Sequence, residues 1–529
     1  MNRTPRILGS LAALATTAVL AACTTGGVQG TTSGSTSKST ATALAANVTV
    51  EQARASNATP DAADTSWSES GATVITLNGT SATVSGSGAT ASGSTVTITA
   101  GGTYVLSGTF EGQVIVNSAS SDEVKLVLKG ATITSSTGAA IAITDAGEAV
   151  VVLADGTTNS LTDAKTYADT TSEDAPNAAL FSMADLTIGG GGSLTVTGQY
   201  NDGIASKDGL VISGGTITVK AADDGIRGKD HIAITAGTIS VDAGGDALKS
   251  DNTKDADSGF VDISGGTIIL AAGTKAGDGI DAQNDIIVSD GKLTVTQSYE
   301  GIEALNIVIG GGTIEVTSSD DGLNVSAGKD STTTTNNAQG GPGGGAGDAV
   351  IDGTASISGG TLILHSNGDG FDSNGTASIS GGTVIVDQVG GGNGALDVNG
   401  AFTITGGTLI AVGSSSMPVA PATSSAQGWV MAAVSGQGGS KIQVLSGTTV
   451  LAEFTATREF GNIVYSGTGI SSGQQYSVTV NGTATTVTAN VATAGGMGGS
   501  MGGGQAGGQP GGQAGGQAQG GRPGGGTRP

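Results

Sequence analysis

The chain has 529 residues, 95 of them glycine, with only 3% aromatic and 12% charged residues. So many glycines and so few rings suit tight turns and narrow coils, and argue against helical bundles and Rossmann-type folds. With 44 acidic against 20 basic residues, the net charge is −24; this argues against nucleic acid as a partner and means that any acidic ligand meets a repulsive surface unless a cation intervenes.

The chain opens with Arg3 and Arg6, an apolar run from Ile7 to Ala22, and the phrase Leu20-Ala21-Ala22-Cys23. A basic start, a short apolar stretch and small residues before a cysteine are the parts of a secretory signal. The ending resembles the bacterial lipobox, which implies cleavage before Cys23, lipidation of its thiol and attachment to the membrane. Cys23 is the one cysteine of the chain, so no intramolecular disulfide forms. Residues 24–66 are rich in Ser, Thr, Ala and Gly and read as a flexible tether.

Strand-like runs begin at Thr73-Val74-Ile75-Thr76-Leu77 and recur at Thr95–Ile98, Tyr104–Leu106, Val114–Val116, Val124–Leu128 and Ala149–Leu153. From Asn201 to about Gly413 one phrase then returns: Asp202-Gly203-Ile204, Asp224-Gly225-Ile226, Asp246-Ala247-Leu248, Asp278-Gly279-Ile280, Glu300-Gly301-Ile302, Asp321-Gly322-Leu323 and Asp369-Gly370-Phe371. The steps between the acids are 22, 22, 32, 22, 21 and 48 residues, a period of about 22 broken by two insertions. Each copy ends in alternating apolar and Ser/Thr residues around a glycine pair, as in Ile212-Ser213-Gly214-Gly215-Thr216-Ile217, the pattern of short strands joined by a bend. A unit of about 22 residues with three short strands and no helix predicts one coil of a parallel β-helix. The fold class is therefore all-β, a solenoid over residues 67–425, with a small β cap over 426–490 where Trp429–Val487 breaks the period. The Gly/Gln-rich stretch 491–529 cannot bury enough apolar surface to fold. The segment Ala327–Asp348 reads as a surface loop that causes the 48-residue step.

Stacked coils turn sequence columns into physical ladders at about 4.8 Å spacing. Two carboxylates that close repel by about 3 kcal/mol at an effective dielectric near 20, so a file of them asks for cations. In the later coils a second acid or amide sits three residues on: Asp278 with Asp281, Glu300 with Glu303, Asp321 with Asn324, Asp369 with Asp372, and then Asp397. These, with Asp224 and Asp246, are the candidate metal ligands. Hard oxygen donors of this kind suit calcium, whereas two histidines and one cysteine serve zinc or iron poorly. A second column, Asp208, Asp230, Asn252, Asn284 and Asn306, reads as side chains that bond one another and the turn backbone. Solvated turn acids with diffuse counter-ions remain the alternative for the first column.

The Ile75-Thr76-Leu77-Asn78-Gly79 opening, the Gly102-Thr103-Tyr104-Val105-Leu106-Ser107-Gly108 phrase, the Asp-Gly-Ile coils and the Ala452-Glu453-Phe454-Thr455 to Tyr465-Ser466 ending together resemble a family of bacterial secreted carbohydrate-binding proteins. The resemblance covers about 71–487. It implies a right-handed parallel β-helix akin to calcium-dependent pectate lyases, calcium at the acidic coils, and affinity for cellulose- or polygalacturonate-type polysaccharide. It implies these without an established lyase activity. Were the chain a lyase, Arg227 and Lys249, at the +3 position of the second and third coils, are the candidate bases beside a calcium; otherwise each pairs with a neighbouring acid. The two histidines, His231 and His365, fall in strand phrases as surface residues. The overall expectation is calcium-dependent polysaccharide binding by a lipid-anchored, extracytoplasmic monomer, with a polysaccharide lyase or an adhesive envelope rod as alternatives.

Overall fold

The computed structural model describes residues 47–168, 172, 174–327 and 350–492. The expected leader with Cys23, the Gly/Gln-rich tail from Ala494, and all but the first residue of the expected Ala327–Asp348 loop lie outside them. The described chain winds into about 11 coils averaging roughly 25 residues. Where the repeat is uninterrupted the step is the expected 22, as in Ile204 beside Ile226 and Ile226 beside Leu248. The two insertions raise the average.

Each coil contributes a strand to each of three parallel ladders. The first holds the strands that follow the Asp-Gly turns, from Asp202–Ser206 through Ile226–Gly228 and Leu248–Ser250 to Leu396–Val398. Gly209–Ile212 and its partners form the second, and Thr216–Ala221 and its partners the third. Inward-facing Ile, Leu and Val of all three fill one continuous core that runs from Ile75 to Val464. Burying each such side chain contributes about 1.5–3 kcal/mol, and because each coil packs only on its neighbours, the core grows along the axis.

Glycines sit where stacking leaves no room. At Gly225, between the acid and the inward Ile226, a Cβ would lie 2.2 Å from Val241 Cγ1 and 2.7 Å from the Ala247 carbonyl of the next coil. In the bend between the second and third ladders, Gly360 adopts φ +73°, a conformation that side-chain-bearing residues rarely take.

Both ends of the stack are closed. At the N-terminal end, Thr73–Gly79 pairs antiparallel with Ser81–Ser85, and Ala89–Ser92 with Thr95–Ile98. At the other end, Thr408–Gly413 pairs antiparallel with Asn462–Ser466, and a four-stranded antiparallel sheet of Lys441–Ser446, Thr449–Thr455, Gln475–Val480 and Thr483–Thr488 forms the expected cap. Covering terminal strands in this way removes edges that would template aggregation.

The tether reading fails for its described part. Residues 47–66 lie along the second ladder: the Val48 amide donates to Ser356 Oγ, the Ala63 amide to Thr187 Oγ1, and Lys125 Nζ to the Ser66 carbonyl. Between these points is a short helix, Val50–Ser56, started by a capping box of Thr49 and Gln52. Val48, Val50 and Ala53 pack on Ile287 and Val308. Those two strand residues face outward, so without this strap they would stand in water. His231 also departs from expectation. It is buried and stacks on Phe260 at 5.2 Å between ring centroids, because the second ladder stacks the two residues in register.

Candidate functional site

The +3 column is a physical ladder in the first sheet. Arg227 pairs in register with Lys249, Lys249 with Asp281, Asp281 with Glu303, Glu303 with Asn324, Asn324 with Asp372, and Asp372 with Asp397. The 32- and 48-residue steps therefore carry true insertions that return the chain to the same register.

The acid column lies in the turn just before it and does something the sequence did not announce. Its carboxylates accept hydrogen bonds from the backbone of the next coil: the Asp246 amide donates to Asp224 Oδ1 at 2.9 Å, the Asp278 amide to Asp246 Oδ1 at 2.7 Å, the Glu300 amide to Asp278 Oδ1 at 3.2 Å, the Asp369 amide to Asp321 Oδ1 at 2.6 Å, and the Gly394 amide to Asp369 Oδ1 at 2.6 Å. One oxygen of each of these five acids thus ties two coils together. Asp202 begins the column, fully buried between the side-chain amides of Asn177 and Asn201, each 2.8 Å away.

Packing so many carboxyls together with little water raises their proton affinity. Burial, assisted by neighbouring acids, pushes Asp202 up to about 8, Asp281 to about 7, Asp321 to about 8 and Asp372 to about 9. Asp224 and Asp369 are each pushed to about 6, again chiefly by burial.

Among the described residues, two trios converge so that their carboxylate oxygens lie within 4.8 Å of one another: Asp246, Asp278 and Asp281; and Asp278, Glu300 and Glu303. Asp278 belongs to both and is fully buried. Asp321, Asp369, Asp372 and Asp397 continue the two columns toward the C-terminal coils and form no such trio among the described residues. Neighbouring side chains orient the second trio, with Ser326 Oγ 2.6 Å from Glu303 Oε1 and Asn324 Nδ2 2.9 Å from Glu300 Oε2. An ion about 2.4 Å from each ligand requires oxygens no more than about 4.8 Å apart, so the trios meet the spacing of a hard divalent cation. Asn324 Oδ1, buried one row further on, makes no hydrogen bond, an oxygen whose burial otherwise goes uncompensated.

Lys249 and Arg227 are placed as counter-ions. Lys249 Nζ is 2.5 Å from Asp246, 3.6 Å from Asp281 and 3.7 Å from Asp224. Burial works to lower its pKa, but Asp224, Asp246 and Asp281 outweigh it and hold the ammonium above its ordinary value. Such a group is a poor proton acceptor at neutral pH. Arg227 grips Asp251 through Nε at 3.2 Å and Nη2 at 2.5 Å. The second column behaves as read: Asn252 Nδ2 donates to Asp230 and Asn306 Nδ2 to Asp285, while Asn284 donates to the Ser258 carbonyl. A slip between Ala282 and Asp285 puts Asp285, rather than Asn284, opposite Asn306. Phe371 and Trp429 are buried in the core, and Tyr200 stacks on Tyr167 at 4.4 Å.

Comparison with known proteins decides the family. A carbohydrate-binding domain-containing protein of Acetivibrio thermocellus is 45% identical over 218 residues, which cover 40% of this chain and 75% of that protein. The chain belongs to the carbohydrate-binding domain family. The family's model, described as a carbohydrate-binding domain-containing protein, matches residues 92–344, a span that includes both trios. A solved structure described as the polysaccharide lyase-like protein from C. thermocellum, a gadolinium derivative, is 33% identical and covers 48% of this chain and 97% of its own, with a TM-score of 0.39.

Proposed function

We propose that the protein binds acidic polysaccharide at the bacterial cell surface through calcium held by acids of the first ladder and of the turn before it. Membership of the carbohydrate-binding domain family supports a polysaccharide ligand. The observation that carries the metal is the pair of carboxylate trios sharing the buried Asp278. Asp246, Asp278, Asp281, Glu300 and Glu303 would hold the ion, and Asn324 Oδ1 supplies a neutral oxygen one row away. Bound there, calcium would offset the file of carboxylates and offer open coordination positions to sugar oxygens. The chain's own residues do the rest: Lys249 balances Asp224 and Asp246, and Ser326 and Asn324 hold Glu303 and Glu300 in place. A lyase would need a base beside the ion, and Lys249, bound to three carboxylates, is held protonated instead. Attachment through lipidated Cys23 belongs to the same proposal and would place the rod on the outer side of a membrane.

Retention on immobilised polygalacturonate, with and without chelator, tests this reading. Calcium-dependent retention without unsaturated product absorbing at about 235 nm is expected. Retention indifferent to calcium, or unsaturated product, would overturn it.

A further inference from the structure

On a chain of net charge −24, one cleft is basic. It has a volume of about 400 Å³, and its walls include Lys207, Arg227, Lys229 and Lys254 against the two acids Asp174 and Asp251, four positive charges to two negative. A fifth of the 20 basic residues of the chain meet here. The volume is that of a small-ligand site.

The cleft is built by the solenoid. Lys207 and Lys229 follow strands paired in register, at Ser206 and Gly228, so they occupy one column a single coil apart. The next member of that column is Asp251, which Arg227 clasps from the neighbouring column. Arg227 is thereby fixed in position, and its positive charge is partly spent. Lys207, Lys229 and Lys254 form no ion pair within 4 Å among the described residues. Burial lowers the pKa of Lys207, and Arg227 and Lys229 lower it further. Asp202 and Asp251 offset part of this crowding, and the excess of positive charge that remains is what an anion would relieve.

The position matters as much as the charge. Arg227 stands in the same column as Asp281, two coil steps away, about 10 Å at the usual strand spacing. One face of the rod therefore runs from a basic cleft to the acidic trios, and an extended chain along it would meet both.

We infer that this cleft is an oxyanion subsite, taking a carboxylate or sulfate ester of a polysaccharide directly on Lys207, Lys229 and Lys254, without metal. The inference rests on the polysaccharide-binding reading but not on calcium.

The test uses the full chain stripped of divalent ions with chelator and four probes: polygalacturonate, its methyl ester, dextran sulfate and neutral dextran. The parent should bind at least one anionic polymer in preference to its uncharged counterpart, and more weakly as salt rises. The variant K207Q/K229Q should lose at least about fivefold in that affinity, as should the separate variant K254E at an exposed position, with calcium uptake by calorimetry and melting temperature unchanged. The variant D278N should retain the chelator-resistant binding in full. Which anionic polymer responds identifies carboxylate or sulfate as the group recognised. Parent affinity in both lysine variants, or no preference for charge in chelator, would overturn the subsite. Loss of calcium-dependent retention alone would count against the metal reading and leave the subsite standing.

Discussion

Lys249 shows how one side chain changes the meaning of a column. In its row the +3 ladder switches from acids to bases, and its ammonium reaches Asp224, Asp246 and Asp281 together. Replacing it with Gln leaves partly buried carboxylates without their cation; in the metal-free protein this should cost about 1–3 kcal/mol, discounted for the quarter of the side chain that water reaches. Chemical denaturation in chelator checks that, and millimolar calcium should restore most of the loss. The spacing made the partner acids legible, since i to i+3 and one coil step both pointed to Lys249. It could not reveal that the turn acids bond the next coil's amides, because Asp in a turn has several equally good local partners. The basic cleft was equally hidden, because Lys207 and Lys229 look like ordinary surface lysines until Lys254 arrives from the inserted loop of the 32-residue step.

The strap of residues 47–66 illustrates the limits at the level of elements. Its composition is that of a linker, and only Thr49-x-x-Gln52 marks a helix start. Its structure comes from the surface it covers: outward-facing Ile287 and Val308 are two members of a small apolar cluster that Val48, Val50 and Ala53 complete. Val50→Asp should therefore destabilise the protein by about 2–4 kcal/mol through a charge placed among apolar groups. Proteolysis should then cut within 47–66 while the solenoid persists; if the variant melts and resists protease like the parent, the strap contributes nothing. Gly225→Val belongs to the same scale. A side chain there would strike Val241 and the Ala247 carbonyl, and lowered melting with loss of binding is expected. The strands themselves were the easiest feature to read, because alternation fixes which face is buried and the 22-residue step fixes the neighbour.

Across the whole molecule, registry converts weak local signals into a collective property. Every step of the +3 column, including those of 32 and 48 residues, ends in a hydrogen-bonded pairing, so the acidic ladder is continuous through the insertions. Folding brings those carboxyls out of water and raises their proton affinity. A folded-state pKa above the unfolded value means stability that is present at low pH and lost as pH rises through it. For Asp281 at about 7, Asp321 at about 8 and Asp372 at about 9, the loss begins as the unfolded carboxyls ionise at about pH 4 and is complete by about pH 9. Calorimetric melting of the chelator-treated protein should show this decline, and calcium should flatten it; a metal-free protein equally stable at both ends of that range would contradict the electrostatic account.

The most direct measurement of the central claim is a calcium titration by isothermal calorimetry of the stripped parent and of Asp278→Asn. That substitution keeps one side-chain oxygen to accept the Glu300 amide and removes the charge shared by both trios. The account predicts saturable uptake by the parent and at least a tenfold weaker affinity in the variant, about 1.4 kcal/mol or more. Equal affinity in the two proteins, or no uptake by the parent, would contradict it.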